Sequence, residues 1–465
     1  MSLPVLVLFA YTLLQVGVGL YVARRVRGAG DFFVAGRGLG PGLLLASLVA
    51  ANIGAGSTVG ATGLGYREGL AAWWWVGSAG LGTLVLAFLV GPRIRRIAAE
   101  HDLHTVGDFL EHRYGRTLRG IVASLLWIGT LAILTGQLVA AGKILHVVTG
   151  LPPAVGAVIG GLVMTVYFTA GGLLGSAWVN ALQLVVEIGT FLVLLPVALA
   201  GAGGWPAVVA RAPVDPVYWD FWGAGSGLRY LILLGPAFFL SPGLLQKVYG
   251  ARSDRTVRVG VGLNALFLVG FAFIPTLLGI VARAQHPGLV DPELALPTLL
   301  LHDLPPVLGA LGLAAAFTTD VNTADAILFM LSTSLARDLY RGFVNRTATD
   351  AQVLRVARGA AVAGGALGIG FAVVAPSVIG ALTVFYTLLS VCLFVPLLAG
   401  LFVPRVGTRE ALASIAVGVP LTLVLHVTTA GRGLGWLSPA LAGIAAASLA
   451  ATLVALVPRR ARIRY

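Results

Sequence analysis

Apolar residues gather into long unbroken runs, and the runs are separated by short polar segments rich in arginine. Thirteen runs approach or exceed the roughly 20 residues that a helix needs to cross a bilayer. They fall near 3–23, 40–65, 70–92, 118–148, 153–171, 177–202, 229–249, 257–284, 305–336, 354–375, 377–403, 410–429 and 435–457. The pattern predicts an all-α polytopic membrane protein of about thirteen transmembrane helices and one domain spanning residues 1–465. The first run, Pro4–Ala23, is as long as a full span, and its arginines follow it. It reads as a first transmembrane helix, not as a cleaved leader.

Two runs are interrupted at matching places. The second contains Asn52-Ile53-Gly54-Ala55-Gly56-Ser57, and the seventh contains Gly235-Pro236 and Ser241-Pro242-Gly243. Glycine clusters and prolines break helices and release backbone groups. Broken segments five spans apart point to a transporter built from two inverted repeats. The repeats would cover 40–202 and 229–403, with an extra helix at 3–23 and two more over 410–457.

Composition agrees. Of 465 residues, 58% are hydrophobic and 11% charged, and the mean hydropathy is +0.94. That is too little charge to coat a soluble globule of this size, which excludes a large soluble enzyme, a disordered scaffold and a collagen-like chain. The formal charge of +13 follows from topology and not from nucleic-acid binding. With the N-terminus outside, 25 of the 31 basic residues fall in cytoplasmic segments and 5 outside, as the positive-inside rule requires. Lys143, near the outer end of the fourth span, is expected to snorkel to the interface. The lone Cys392 excludes an intrachain disulfide and a cysteine metal site. The segment His101–Tyr114 is expected to form a solvated surface helix. No phosphate-binding glycine loop and no nucleophile–base pair appears, so an enzyme is not expected and no cofactor is implied.

Polar groups at membrane depth are costly and mark function. Three acids fall inside spans: Glu187, Asp320 and Asp325. Asn180, Gln183 and Glu187 share one helix face at i, i+3, i+7 and form a candidate cation pathway together with Asp325. In the ninth span Thr319, Asn322 and Thr323 share a face, where their oxygens suit an alkali cation. Asp320 adds negative charge.

At these residues the chain resembles the sodium:solute symporter family. Gly30-Asp31-Phe32-Phe33-Val34-Ala35-Gly36-Arg37, Ala50–Gly56, Gly171-Gly172-Leu173 with Ala177–Gln183, and Asn322-Thr323-Ala324-Asp325 with Arg337–Tyr340 match its motifs in order. The resemblance implies secondary active import of a small organic solute across the plasma membrane, coupled to Na+ as the transported ion. It places the cation on the backbone oxygens of Ala50, Ile53 and Thr319 and on the side chains of Asn322 and Thr323. Three positions depart from the pattern: Asn322 replaces a serine, Asn180 an aspartate, and Asp320 an apolar residue. Asp320 is expected to supply the displaced charge at the cation site, and an acidic ligand also suits proton coupling. An uncoupled facilitator is the other alternative. Solute contacts are expected from Asn52, Gly54, Ser57, Trp75, Gln137, Phe238, Phe239, Ser241 and Tyr386, with Phe238-Phe239 as an apolar gate. The other two residues of Trp73-Trp74-Trp75 are assigned to an interfacial aromatic belt. The solute leans towards a monocarboxylate or an amino acid.

Overall fold

The computed structural model describes residues 3–23, 38–375, 377–435 and 437–457, with the side chains at 12, 14–16, 18–23, 166–186, 322 and 325 left aside. Among the described residues there is no strand, and helices follow the predicted runs closely. They are α1 (Leu3–Ala23), α2 (Pro41–Asn52), α3 (Ala61–Glu68), α4 (Trp73–Val85), α5 (Gly91–Glu100), α6 (Val106–Tyr114), α7 (Arg116–Thr149) and α8 (Pro153–Gly201). The second half adds α9 (Ser226–Leu240), α10 (Pro242–Tyr249), α11 (Asp254–Phe271), α12 (Phe273–Gln285), α13 (Pro306–Thr333), α14 (Asp350–Val374), α15 (Val378–Phe402), α16 (Thr408–Thr428) and α17 (Pro439–Leu456). A π-helical stretch, Ser334–Val344, extends α13. Among the described residues nine helices are long and apolar enough to cross a membrane, or ten if the bent pair Glu187–Gly201 and Trp205–Arg211 counts as one.

One predicted boundary is absent. The runs 153–171 and 177–202 form the single helix α8, with no break at Gly171-Gly172. A glycine pair lowers helix propensity but keeps its N–H donors, so the backbone ladder can run through it where proline would stop it. The 49 residues of α8 span about 74 Å, more than twice the hydrocarbon thickness.

Both predicted interruptions are present. α2 ends where Ile53 turns extended (φ −96°, ψ 108°), and a π-helical turn, Gly56–Gly60, leads into α3. The second break is at Ser241 (ψ 119°), because Pro242 disfavours helical backbone at the residue before it. Pro236, by contrast, stays inside α9.

The packing repeats when the two halves are exchanged. α2 lies on α11 and α3 on α12; reciprocally, α9 lies on α4 and α10 on α5. Likewise α7 packs on α15, and α13 packs on α8. This reciprocity is the signature of an inverted repeat. It places both breaks in the middle of the bundle, while α14, α16 and α17 present Phe371, Val424 and Leu453 outward.

The segment after α5 departs from expectation. α6 carries a capping box, in which Thr105 and Asp108 bond each other's backbone. It is not a solvated helix, because Val106, Phe109, Leu110 and Tyr114 are buried. Arg113 ties it down by donating to the carbonyls of Gly400, Val403, Pro404 and Val406, in the last turn of α15 and just beyond it.

Candidate functional site

The first break leaves unpaired carbonyls beside α13. Thr323 Oγ1 donates to Ile53 O at 2.8 Å and to Ala50 O at 3.3 Å. These are three of the oxygens expected to hold a cation. Gly54 permits the approach, since a Cβ there would overlap Thr323 Oγ1 and lie 2.8 Å from Gln137 Oε1. Gln137 on α7 accepts the Ala55 N–H at 2.9 Å. Ser57 Oγ accepts the Gly54 N–H at 2.9 Å, and Thr58 Oγ1 donates to Gly54 O at 2.9 Å. Side chains therefore satisfy the groups that the break frees, as buried backbone demands.

Thr319 is fully buried and its hydroxyl donates back to Ala315 O at 2.7 Å. Asp320 is also fully buried, and among the described residues neither of its carboxylate oxygens has a hydrogen-bond partner. Glu187, itself buried, and Thr58 are its electrostatic neighbours. The Thr58 proton is committed to Gly54 O, so it does not satisfy the carboxylate. Asn180, Gln183, Asn322 and Asp325 lie outside the described side chains.

Beside the break is a cavity of about 40 Å³. Seven of the nine expected solute contacts line it: Asn52, Gly54, Ser57, Trp75, Gln137, Phe238 and Tyr386. Thr323 lines it too, so the candidate cation and solute sites share a wall. Asn52 Nδ2 is buried with no acceptor among the described residues. Among the described residues no charged side chain lines the cavity, and Trp75, Phe238 and Tyr386 form its aromatic wall, with Tyr386 5.8 Å from Phe238 and 6.1 Å from Trp75 between ring centres. Phe239 and Ser241 are not among the lining residues. Phe239 points instead towards Phe394, so only Phe238 of the expected gate pair faces the cavity. Leu382, which no local sequence signal marks, covers the break and abuts Gly56 and Gly136.

A vestibule of about 650 Å³ opens on the face that carries the loops 203–228 and 285–304. Tyr230 lines it and meets Trp75 edge-on at 5.4 Å, so this contact separates vestibule from cavity. Trp73 and Trp74 are not a bare interfacial belt. Both are buried under the loop, where Trp74 donates to Phe221 O at 3.0 Å and stacks on Trp222.

At the vestibule floor Lys143 departs from the snorkelling expectation. It is 5% exposed, and its Nζ lies 2.7 Å from Asp291 Oδ2 and 2.5 Å from Glu293 Oε2. Glu293 also accepts the N–H groups of Val378 and Ile379 at 2.9 and 3.0 Å, the first residues of α15. One carboxylate thus joins α7, the 285–304 loop and the positive end of α15. The opposite face is closed by Arg119, which pairs with Asp108 (2.9 Å), Glu111 (2.6 Å) and Asp338 (2.8 Å); Thr105 donates to the same Asp338 oxygen at 2.6 Å. Neither cluster was visible as a motif, since each joins residues far apart in the chain.

Two broken helices within a reciprocal helix bundle, with freed carbonyls and a side-chain oxygen where the first break meets α13, define a multi-pass secondary transporter. The chain belongs to the sodium:solute symporter family, whose model matches residues 32–418. It is 28% identical to the sodium/pantothenate symporter of Escherichia coli over 443 residues, 90% of each chain. It is 26% identical to the sodium/glucose cotransporter of Vibrio parahaemolyticus, over 91% of this chain and 85% of that protein. Among solved structures, a Na+-coupled sialic acid symporter in a substrate-bound outward-open state matches with a TM-score of 0.79 over 99% of both chains, at 19% identity. That likeness shows the shared fold. The protein is thus a secondary transporter of a small organic solute, from a family whose coupling ion is Na+, and not an enzyme.

Proposed function

We propose that Na+ binds between the carbonyls of Ala50, Ile53 and Thr319 and the side chains of Asn322 and Thr323, and that the solute binds in the adjoining cavity. The observation that carries this reading is the approach of Thr323 Oγ1 to Ile53 O and Ala50 O. A cation there replaces two hydrogen bonds with direct coordination by the same oxygens. It also fixes α13 against the break that forms the cavity wall. Solute binding is then favoured when Na+ is bound, and reciprocally. The residues 40–202 and 229–403 form the two repeats, which rock about the breaks to open each face in turn.

The positive-inside distribution supports a plasma-membrane protein with its N-terminus outside, its C-terminus cytoplasmic and its vestibule extracellular. Inward transport then follows the sodium gradient. The cavity favours a small neutral or monoanionic solute. Its acceptor group takes the Asn52 amide and its apolar body lies on Trp75, Phe238 and Tyr386. A monocarboxylate or an amino acid meets that description, and relatives named for pantothenate and proline transport carry a carboxylate of this kind.

A second reading rests on Asp320, buried beside Glu187 with its oxygens unpartnered among the described residues. Acidic side chains buried at membrane depth form proton pathways, and in this reading the solute enters with H+ in place of Na+. Thermal melts of the purified protein with a panel of solutes in Na+ or K+ separate the readings. Stabilisation by a solute only in Na+ supports sodium coupling. Equal stabilisation in K+ moves the coupling to Asp320.

A further inference from the structure

The Arg119 cluster has an outer side that the transport cycle does not explain. There a pocket of about 230 Å³ is lined by Arg119, Arg337, Arg341, Arg346, Gly342, Asp108 and Glu111. Its acids are already committed. Asp108 and Glu111 both pair with Arg119, and the second oxygen of Asp108 accepts the N–H groups of His104 and Thr105 at 2.9 and 3.0 Å. Asp338, behind them, is shared by Arg119 and Thr105. Arg341 and Arg346 are less well compensated. Arg341 has Asp350 at 3.6 Å, in a pair open to solvent, and Arg346 makes no ion pair among the described residues. The Gly342 carbonyl is taken by Arg116. Among the described residues the pocket therefore presents Arg346 without a carboxylate and Arg341 with a single, loosely held and solvent-open one.

We propose that this pocket is an anion seat for a phosphate group, held by Arg341 and Arg346 with Arg337 at its base, and that the phosphate is the headgroup of an anionic lipid. Guanidinium forks match phosphate oxygens in pairs, and closely spaced arginines gain most from a ligand of multiple acceptors. The flank of the pocket favours a lipid over a free ion. Phe343 and Val344, next to Gly342 on the same stretch, are 44% and 76% exposed. Phe343 lies against Gly120 and beneath Arg116, whose guanidinium sits 5.0 Å from the ring centre. A headgroup in the seat would leave its acyl chains beside this apolar edge. The seat joins the start of α7, α6 and the end of the α13 segment, the elements that close this face. An occupied seat thus holds that face shut and favours the state in which the vestibule is open.

The full-length protein in detergent is titrated with phosphatidylglycerol, phosphatidylcholine or inorganic phosphate, and bound lipid is counted by native mass spectrometry alongside thermal melts. Retention of phosphatidylglycerol over phosphatidylcholine, falling about fivefold for each of Arg341→Gln and Arg346→Gln, is expected. Arg432→Gln, which lines the vestibule on the opposite face, serves as the control and should leave retention unchanged. Stabilisation by inorganic phosphate equal to that by the lipid, lost in the same variants, supports the phosphate seat and overturns its assignment to lipid. Equal retention of the two lipids with no effect of phosphate, or a preference that survives the double variant, overturns the proposal. Because both arginines lie outside the Arg119 network, the variants should melt within a few degrees of the parent without lipid.

Discussion

Thr323 and Ile53 are 270 positions apart, yet the hydroxyl of one lies 2.8 Å from the carbonyl of the other. The contact exists because α2 stops at Asn52 and its last carbonyls lose their helical partners. It brings the first repeat and the second together at the one place where both ion and solute are proposed to bind.

Gly54 is the residue that lets this contact form. Gly54→Ala inserts a methyl group into Thr323 Oγ1 and against Gln137 Oε1. Displacing Thr323 by a fraction of an ångström separates it from both carbonyls. Uptake into proteoliposomes is expected to fall about a hundredfold, with the protein still folded by size-exclusion chromatography. Uptake within a factor of two of the parent would show that the hydroxyl does not need this position.

Gln137 holds the far side of the break. Gln137→Leu leaves the Ala55 N–H buried without its acceptor, a cost of about 1–3 kcal/mol. The variant should melt several degrees lower and lose solute affinity more than Na+ affinity, since Gln137 lines the cavity but is not a proposed cation ligand. Isothermal titration with each ligand distinguishes the two losses.

Lys143 and Glu293 form a buried pair. Removing Lys143 strands the buried Glu293 carboxylate, which costs about 3–5 kcal/mol, whereas removing Glu293 leaves Lys143 its second partner, Asp291. Lys143→Met should therefore destabilise strongly, and combining it with Glu293→Gln should recover part of the loss. Thermal melts of the two single variants and the double variant measure the coupling. Strict additivity of the two single effects would mean that the pair contributes no mutual stabilisation.

Asp320 tests the choice of ion. Asp320→Asn is expected to raise the half-saturating Na+ concentration several-fold while keeping the protein folded, because its charge is proposed to favour the nearby cation. If uptake in the parent follows a proton gradient in K+ and the variant loses this response, the proton reading replaces the sodium one.

Much of this arrangement was legible from local pattern. Run length located the helices, because a lipid-spanning backbone must satisfy its own hydrogen bonds. Gly54 and Pro242 marked the breaks, because their effect on the backbone is local. The two breaks and their expected neighbours supplied seven of the lining residues, three of them at the first break itself. What escaped depended on distance in the chain. Lys143 looked like an interfacial lysine until a loop 148 residues later supplied its carboxylates. Trp73 and Trp74 looked like a membrane belt until the loop carrying Phe221 and Trp222 covered them. Phe238 and Phe239 were equivalent in sequence, but successive helical positions point about 100° apart, and only Phe238 faces the cavity. The continuity of α8 through Gly171-Gly172 was hidden for a different reason: glycine weakens a helix without forbidding it.

The most direct test is the Na+ dependence of solute-independent thermal stabilisation in the parent, Thr323→Ser and Thr323→Ala, with K+ holding ionic strength constant. Half-saturation by Na+ should be nearly unchanged in Thr323→Ser, which keeps the hydroxyl. It should rise at least about tenfold in Thr323→Ala, as expected for loss of one oxygen ligand worth about 1.4 kcal/mol. The same Na+ midpoint in all three proteins would contradict the placement of the ion between Thr323, Ile53 and Ala50.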